Sequence, residues 1–412
     1  MLSLDEVLVR MVAGAQAARI HDVEALSTFD ALGRVLARDV VSAIDVPPAD
    51  NSSMDGYALR SAHLASAGSV LQQSQRIAAG TVGAPLVAGT VARIFTGAPV
   101  PAGADAIVMQ ERCTVVDGGV RIDELPQAGQ WIRRRGEDVR AGATVLTRGT
   151  RLTPQALGLA AGVGAAALTL LRRPRVALFS TGDELVMPGS VAPDALPPGA
   201  IYNSNRYTLR GLLLAAGCEV SDLGIVPDQL AATREALRGA ADGHDLVLTS
   251  GGVSVGEEDH IKPAVAAEGR IEVWQVAIKP GKPLAFGAIR RAGEHGGREA
   301  LFLGLPGNPV SSFVTFLLAV QPVLRAMQGL PAALPPAQSL RADFDWPRPD
   351  RRREFLRVKH NADGGLDLYP NQSSGVLTSA VWADGLVDNP PEQAIRRGDR
   401  VAYRSLEAWI GR

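Results

Sequence analysis

Half of the lysines in this chain fall within four residues. They stand in Lys279-Pro280-Gly281-Lys282-Pro283, and only Lys262 and Lys359 lie elsewhere. Every other basic side chain among the 42 Lys and Arg residues is arginine. Proline and glycine fix a turn, so two ammonium groups project near one point. A compact, strongly hydrated cation suits a phosphate or an oxyanion. A second candidate is glycine-rich: Thr249-Ser250-Gly251-Gly252-Val253-Ser254-Val255-Gly256, with Glu257-Glu258-Asp259 behind it. Backbone N–H groups beside the paired glycines can approach an anion, and a following helix start favours negative charge. No Gly-Lys-Ser/Thr follows, so this is not a Walker loop. Taken alone it also reads as a tight strand–helix turn. Three further loops carry short polar side chains: Ser180-Thr181-Gly182-Asp183-Glu184, Pro227-Asp228 and Leu305-Pro306-Gly307-Asn308-Pro309.

These loops share a position. Each follows a strand-like apolar run, at 176–179, 219–226, 246–248 and 300–303. Helical patterns at 207–216, 229–240 and 310–327 alternate with them. That alternation predicts a parallel sheet with helices on both faces, and ligands bind beyond the carboxyl ends of its strands. Several unusual loops on one edge of one sheet predict a cleft there.

The rest of the chain must frame this sheet. Leu4, Val7, Leu8, Met11 and Val12 repeat at helical spacing, and Ser3 with Glu6 fits a capping box. Residues 46–140 are rich in Gly, Val and Pro with short strand-like runs, which predicts a β-rich domain. A helix opens at Thr153-Pro154 and is expected to pack back on the N-terminal helix, making 46–140 an insertion. The apolar run 156–171 reads as a buried helix. Pro335-Pro336 marks a linker before a last region of strands and turns. The predicted fold class is multidomain α/β and β. It comprises a discontinuous helical linker domain (1–45 plus 141–174), an inserted β-rich domain (46–140), a three-layer α/β domain with a mostly parallel sheet (175–329) and a small β-barrel-like domain (330–412).

Composition narrows the function classes. Of 412 residues, 46% are hydrophobic, which predicts a chain that buries a core. A net charge of -1 gives no support for nucleic-acid binding. The two cysteines, Cys113 and Cys218, build neither a disulfide framework nor a zinc site. No basic n-region opens the chain, and the run 156–171 falls short of the roughly 20 residues that span a bilayer. The expectation is a cytoplasmic protein with no membrane partner.

Two clusters in the β-rich region add carboxylates: Asn51-Ser52-Ser53-Met54-Asp55-Gly56-Tyr57-Ala58 and Arg135-Gly136-Glu137-Asp138. Each alone is a capped turn. Near a phosphate site they would serve as magnesium ligands or acid/base groups. The six histidines show no ligand spacing, and His260 beside Asp259 reads as incidental. Arg133-Arg134-Arg135 and Arg351-Arg352-Arg353 read as solvated faces, the second able to lend a bidentate anion contact.

Taken in order, seven motifs resemble a known family. They are Ser53 to Ala58, Thr96-Gly97-Ala98-Pro99-Val100-Pro101, Arg135 to Asp138, Ser180 to Leu185, Ser250 to Gly256, Lys279 to Pro283 and Pro306 to Ser311. Across essentially the whole chain the sequence resembles the MoeA-type molybdopterin molybdenumtransferases, whose animal relative is the gephyrin E domain. The resemblance implies that adenylylated molybdopterin and molybdate are converted to molybdenum cofactor and AMP. It implies a homodimer whose active site both subunits build, with a molybdopterin adenylyltransferase and acceptor molybdoenzymes as possible partners.

On this reading the catalytic positions are Asp55, Asp138, Glu184, Asp228, Asp259 and Lys279. Substrate contacts fall to Thr96, Ser180, Thr181, Gly182, Asp183, Ser250, Gly251, Gly252, Ser254, Lys282, Pro306, Gly307, Asn308, Pro309, Ser311 and Arg352. Asp259 and Asp228 are the candidates for magnesium (Mg2+). Some relatives carry a lysine where this chain has Gln275, so Arg352 or Lys279 would cover its role at the oxyanion. Two rival readings are molybdopterin adenylyltransferase, whose enzymes resemble the α/β domain alone, and a non-catalytic gephyrin-like scaffold.

Overall fold

The computed structural model describes residues 1–253, 260–292 and 299–410. Ser254 and Asp259 therefore lie outside the described residues. The chain divides into two compact units, Ala25–Leu170 and Met1–Glu24 with Leu171–Arg412.

The larger unit is built on a six-stranded sheet. Its order is Glu219–Val226, Arg175–Thr181, Leu246–Ser250, Glu299–Leu305, Pro283–Arg290, Gly269–Gln275. The first four strands are parallel, Pro283–Arg290 runs antiparallel to them, and Gly269–Gln275, antiparallel to that strand, returns to the direction of the four. Side chains alternate between two cores. Val176, Leu178, Leu246, Leu248, Leu301 and Leu303 face one core, shared with the helices Leu4–Ala17, Ser204–Ala215 and the stretch Pro309–Met327. Ala177, Phe179, Val247, Ala300 and Phe302 face the other, shared with Leu230–Gly243 and Ile261–Glu268. Burial on both faces is why these strands read as unbroken apolar runs.

The first helix is capped as the sequence suggests. The Glu6 N–H donates to the Ser3 hydroxyl, and the Ser3 N–H donates to the Glu6 carboxylate. This helix ends at Ala17, so most of 18–45 is not helical. Leu4, Val7, Met11 and Ala15 pack into the α/β unit. The helix Pro154–Gly162 belongs to a separate core with Ala31, Leu36, Val139 and Leu152. The expected packing between these two helices is therefore corrected, because the apolar stripe of the first already covers the sheet.

The run 156–171 is also corrected. Its helix stops at Gly162, and Ala167–Leu171 is a strand. Gly164 adopts φ +84°, its N–H donates to the Ala161 carbonyl, and the Ala165 N–H donates to that of Ala160. This is a glycine C-cap. Pro309–Met327 is long and apolar enough to cross a bilayer, yet it is largely buried in the protein core. Its middle, Phe316–Val320, is wound as a π-helix just ahead of Pro322, which has no N–H to close an α turn.

The C-terminal sheet runs Ile278–Lys279, Arg353–His360, Gly385–Asn389, Arg400–Ser405, Gln338–Arg341. A sixth strand, Leu366–Leu368, pairs with Arg353–His360, and its Leu366 bridges to Ala342 just past Gln338–Arg341, so the far end of the path comes round to its second strand. The first strand of the path comes from the 175–329 region. Within the smaller unit, the main sheet runs Ala106–Met109, Gly56–Leu59, Thr90–Ile94, Ser69–Ile77, Gly119–Ile122, Cys113–Val116.

At the amino edge of the α/β sheet, Asp245 ties neighbouring strands together. Its Oδ2 accepts from Arg172 Nη1 (2.6 Å) and the Arg175 N–H (2.9 Å), and its Oδ1 accepts from Arg172 Nη2 (2.8 Å). Burial pushes this carboxyl upward, but the Arg172 and Arg175 hydrogen bonds outweigh it and hold the carboxyl below its ordinary value. A depressed carboxyl stabilises the fold above about pH 4, and that contribution is lost as pH falls through the folded-state value. Asp245→Asn is expected to cost about 2 kcal/mol in urea unfolding at pH 7, somewhat less than breaking a fully buried pair. The gap from wild type should narrow at pH 3.

Candidate functional site

The four parallel strands deliver their loops to one edge. A cavity of about 430 Å³ opens there. Thr181, Gly182 and Glu184 reach it from the end of Arg175–Thr181, and Asp228 from the end of Glu219–Val226. Ser250, Gly251 and Gly252 come from Leu246–Ser250, and Pro306 to Pro309 with Ser311 from the end of Glu299–Leu305. The last two strands of the sheet contribute less, with only Pro283 lining the space.

Beneath the cavity the polar groups are fixed. The Ser180 and Ser250 hydroxyls lie 3.2 Å apart and share a hydrogen bond. The Asp228 N–H donates to Asp183 Oδ1 at 3.2 Å. Ser180 and Asp183 thus support the lining rather than form it. The Gly251 N–H donates to the Leu305 carbonyl at 3.1 Å, which leaves the second N–H of that glycine pair, at Gly252, unclaimed among the described residues. Thr181 is 3% exposed and lines the cavity, and its hydroxyl has no partner among the described residues. A buried hydroxyl left unpaired costs free energy that a bound ligand can return.

Asn205 escaped the sequence reading. It sits in the first turn of Ser204–Ala215, lines the cavity and donates from Nδ2 to the Gly307 carbonyl at 2.7 Å. The signal was present in Asn203-Ser204-Asn205, three short polar residues at a helix start. Asn203 proves to be the N-cap, accepting from the Arg206 N–H. Leu185 and Val253, each within a named motif, and Ile201, within none, add apolar walls.

The expected cations are not among the residues that line this cavity. Ile278–Lys279 pairs with the C-terminal sheet in a register that sets Lys279 against Glu354. Lys279 Nζ lies 3.1 Å from Glu354 Oε1 and 3.5 Å from Asp350 Oδ2. Arg352 is held bidentately by Asp350. Lys282 is exposed. Gln275 lies with Met1, Leu2 and Trp274 at a separate shallow pocket. The described lining therefore carries two carboxylates, Glu184 and Asp228, and no Lys or Arg.

Among the described residues no cluster of three or more His, Cys, Asp or Glu side chains forms a ready metal cage. Magnesium does not need one. It takes one or two carboxylates and keeps water or substrate phosphates as its other ligands. Two carboxylates at a cavity without cations fit that share.

Asp55, Thr96 and Asp138 belong to the smaller unit. Asp55 Oδ1 accepts from the Thr96 N–H and hydroxyl, both at 2.8 Å, and these bonds hold its carboxyl below the ordinary value. Segments 46–52 and 132–139 run antiparallel, with Val46 opposite Val139 and Ser52 opposite Ile132. Arg134 pairs with Asp50 and Arg135 with Asp45, so two of that arginine run are bonded rather than merely solvated. Asp138 is exposed.

Comparison with known proteins covers nearly the whole chain. Residues 2–164 match the family model for the MoeA N-terminal region (domain I and II). Residues 177–326 match a probable molybdopterin binding domain, and 339–406 the MoeA C-terminal region (domain IV). A molybdopterin molybdenumtransferase of Haemophilus influenzae is 42% identical over 80% of this chain and 78% of its own length. One from Synechococcus elongatus is 39% identical over 97% and 98%. A crystal structure of the molybdopterin biosynthesis moeA protein from Pyrococcus horikoshii OT3 superposes with TM-score 0.82 at 28% identity, covering 98% of this chain and 99% of that one.

Two glycines at the cavity are expected to behave differently. Gly251 has φ +92°, and a Cβ there would lie 2.4 Å from the Thr181 carbonyl oxygen. At Gly307 the nearest atom would be 3.8 Å away. Gly251→Ala should cost at least about 2 kcal/mol in urea unfolding, whereas Gly307→Ala should stay within about 1 kcal/mol of wild type.

Proposed function

The chain belongs to the MoeA family of molybdopterin molybdenumtransferases, and from that premise we propose that the strand-end cavity is where its transfer reaction takes place. The protein acts in molybdenum cofactor biosynthesis as a transferase. In our reading its substrate is adenylylated molybdopterin and its co-substrate is molybdate. Water adds at phosphorus as the phosphoanhydride link is cleaved and AMP leaves, and the dithiolene sulfurs replace oxygens of molybdate, which depart as water.

The observation that carries this reading is the cavity's composition. It offers the unclaimed Gly252 N–H, an unpartnered Thr181 hydroxyl and two carboxylates, with no Lys or Arg among its described lining. A polyanion cannot settle beside two carboxylates without a neutralising cation. Asp228 and Glu184 would hold magnesium there, with Asp259 as the further candidate from the sequence. Bound magnesium would supply positive charge to the phosphoryl oxygens. The chain's own part is to bind and orient the substrate. Gly252 offers a backbone donor, Asn205 holds the Pro306-Gly307-Asn308 loop in place, and Ser180 and Ser250 brace the floor. Anhydride cleavage of this kind runs on positioning and charge neutralisation, so no general base is assigned.

In the same reading two copies of the chain share the site, the second supplying Asp55, Thr96 and Asp138. In support, those residues lie in the smaller unit, and the residues that line the cavity all lie in the larger one. A cytoplasmic setting completes the proposal. The adenylyltransferase reading is not favoured, because the family matches extend on both sides of the molybdopterin-binding region, and the scaffold reading is not favoured, because the curated relatives are named as transferases.

AMP release from adenylylated molybdopterin and molybdate, followed by chromatography, tests the reaction. Net synthesis of the adenylylated compound from molybdopterin and ATP would overturn the assignment. Asp228→Asn and Glu184→Gln should each slow AMP release about 100-fold, the scale of losing one electrostatic contact at a reacting centre. Thr181→Val probes the orphan hydroxyl. It should leave the melting temperature unchanged or higher, yet weaken binding of adenylylated molybdopterin about tenfold.

A further inference from the structure

The two cations expected at the oxyanion already hold an anion. Asp350 Oδ1 accepts from Arg352 Nε at 2.9 Å and from the Arg352 N–H at 3.0 Å. Its Oδ2 accepts from Arg352 Nη2 at 2.9 Å and lies 3.5 Å from Lys279 Nζ. A guanidinium fork, a backbone N–H and an ammonium are the donors that proteins use to hold tetrahedral oxyanions. Here a carboxylate sits among them.

The cluster contains a second carboxylate, and the two differ in kind. Glu354 is 1% exposed and accepts from Lys279 Nζ (3.1 Å), Trp346 Nε1 (2.8 Å) and the Asp350 N–H (3.1 Å). It is a buried counter-charge that fixes the lysine. Asp350 is 20% exposed, and apart from Lys279 its partners come from Arg352, two residues away. Its carboxyl is held well below the usual range by Arg352, so it is an anion at any working pH. Two cations and two carboxylates leave the cluster formally neutral.

We propose that Asp350 is a placeholder anion in an oxyanion cradle, displaced from Arg352 and Lys279 when a doubly charged tetrahedral oxyanion binds. The inference rests on the reading of molybdate as co-substrate and adds a basis for selectivity. A dianion brings more charge than the carboxylate it displaces. A monoanion brings no more, and it would also have to supply the free energy of displacement. Asp350 therefore biases the cradle toward dianions.

Titration calorimetry at low ionic strength tests this, with molybdate and nitrate as probes on the full chain. Asp350→Asn should bind molybdate at least about tenfold more tightly than wild type, since a charge-assisted hydrogen bond no longer competes. It should also gain measurable nitrate binding that wild type lacks. Asp350→Ser should shift the same way, which separates the lost charge from any accident of the amide. Arg352→Met should lose molybdate binding. If Arg352→Met loses it but neither Asp350 variant gains, the placeholder is wrong and the cradle stands. If Arg352→Met binds as wild type does, the oxyanion sits elsewhere and the reading of Arg352 fails. Failure of Asp350→Asn to bind molybdate at all overturns the proposal as well.

Discussion

Everything at the candidate site follows from a sheet buried on both faces. Leu178 and Phe179 point to opposite cores, as do Val247 and Leu248. Helices cover both layers, so polar chemistry can emerge only where the strands stop. Parallel strands all stop on the same side, and four different loops meet there without any of them being long. The tight turn at Gly251 and the brace from Asn205 to Gly307 are local solutions to bringing those loops together. At the opposite edge Asp245 uses its carboxylate to bind strands to one another.

Charge is organised on a second principle. The cavity contains carboxylates and backbone, while the conspicuous lysine turn is committed to the C-terminal sheet. Lys279 is not a free cation waiting for phosphate. It is half of an ion pair whose other half, the buried Glu354, is also tied to Trp346. Near-neutral net charge thus conceals local balance rather than local excess.

What the sequence made legible was set by range. Strand periodicity, the Ser3–Glu6 cap, the Thr153-Pro154 helix start and the loops at the strand ends depend on neighbours a few residues apart. They read correctly because the physics that fixes them is local. Twelve residues named from the loops line the cavity, from Thr181 to Ser311. The misreadings involve distant partners. Lysine type and spacing said nothing of a β-register that brings residue 279 to residue 354. The run 156–171 was read by hydropathy, which does not register that Gly164 at positive φ ends a helix. Asn205 was missed because a capping cluster and a binding residue look alike until the Gly307 carbonyl is placed beside them.

The pairing of Ile278–Lys279 with Arg353–His360 has a consequence for how such a protein can change over time. A boundary drawn near residue 330 looks clean along the chain, with prolines marking a linker. In space it would cut a hydrogen-bonded sheet. An α/β part released there would expose an unpaired strand and a lysine without its counter-ion, and the C-terminal part would expose a sticky edge of its own. In this chain, therefore, neither segment is structurally complete without the other. Shuffling either into another protein would require rewriting a strand and a charge in the other.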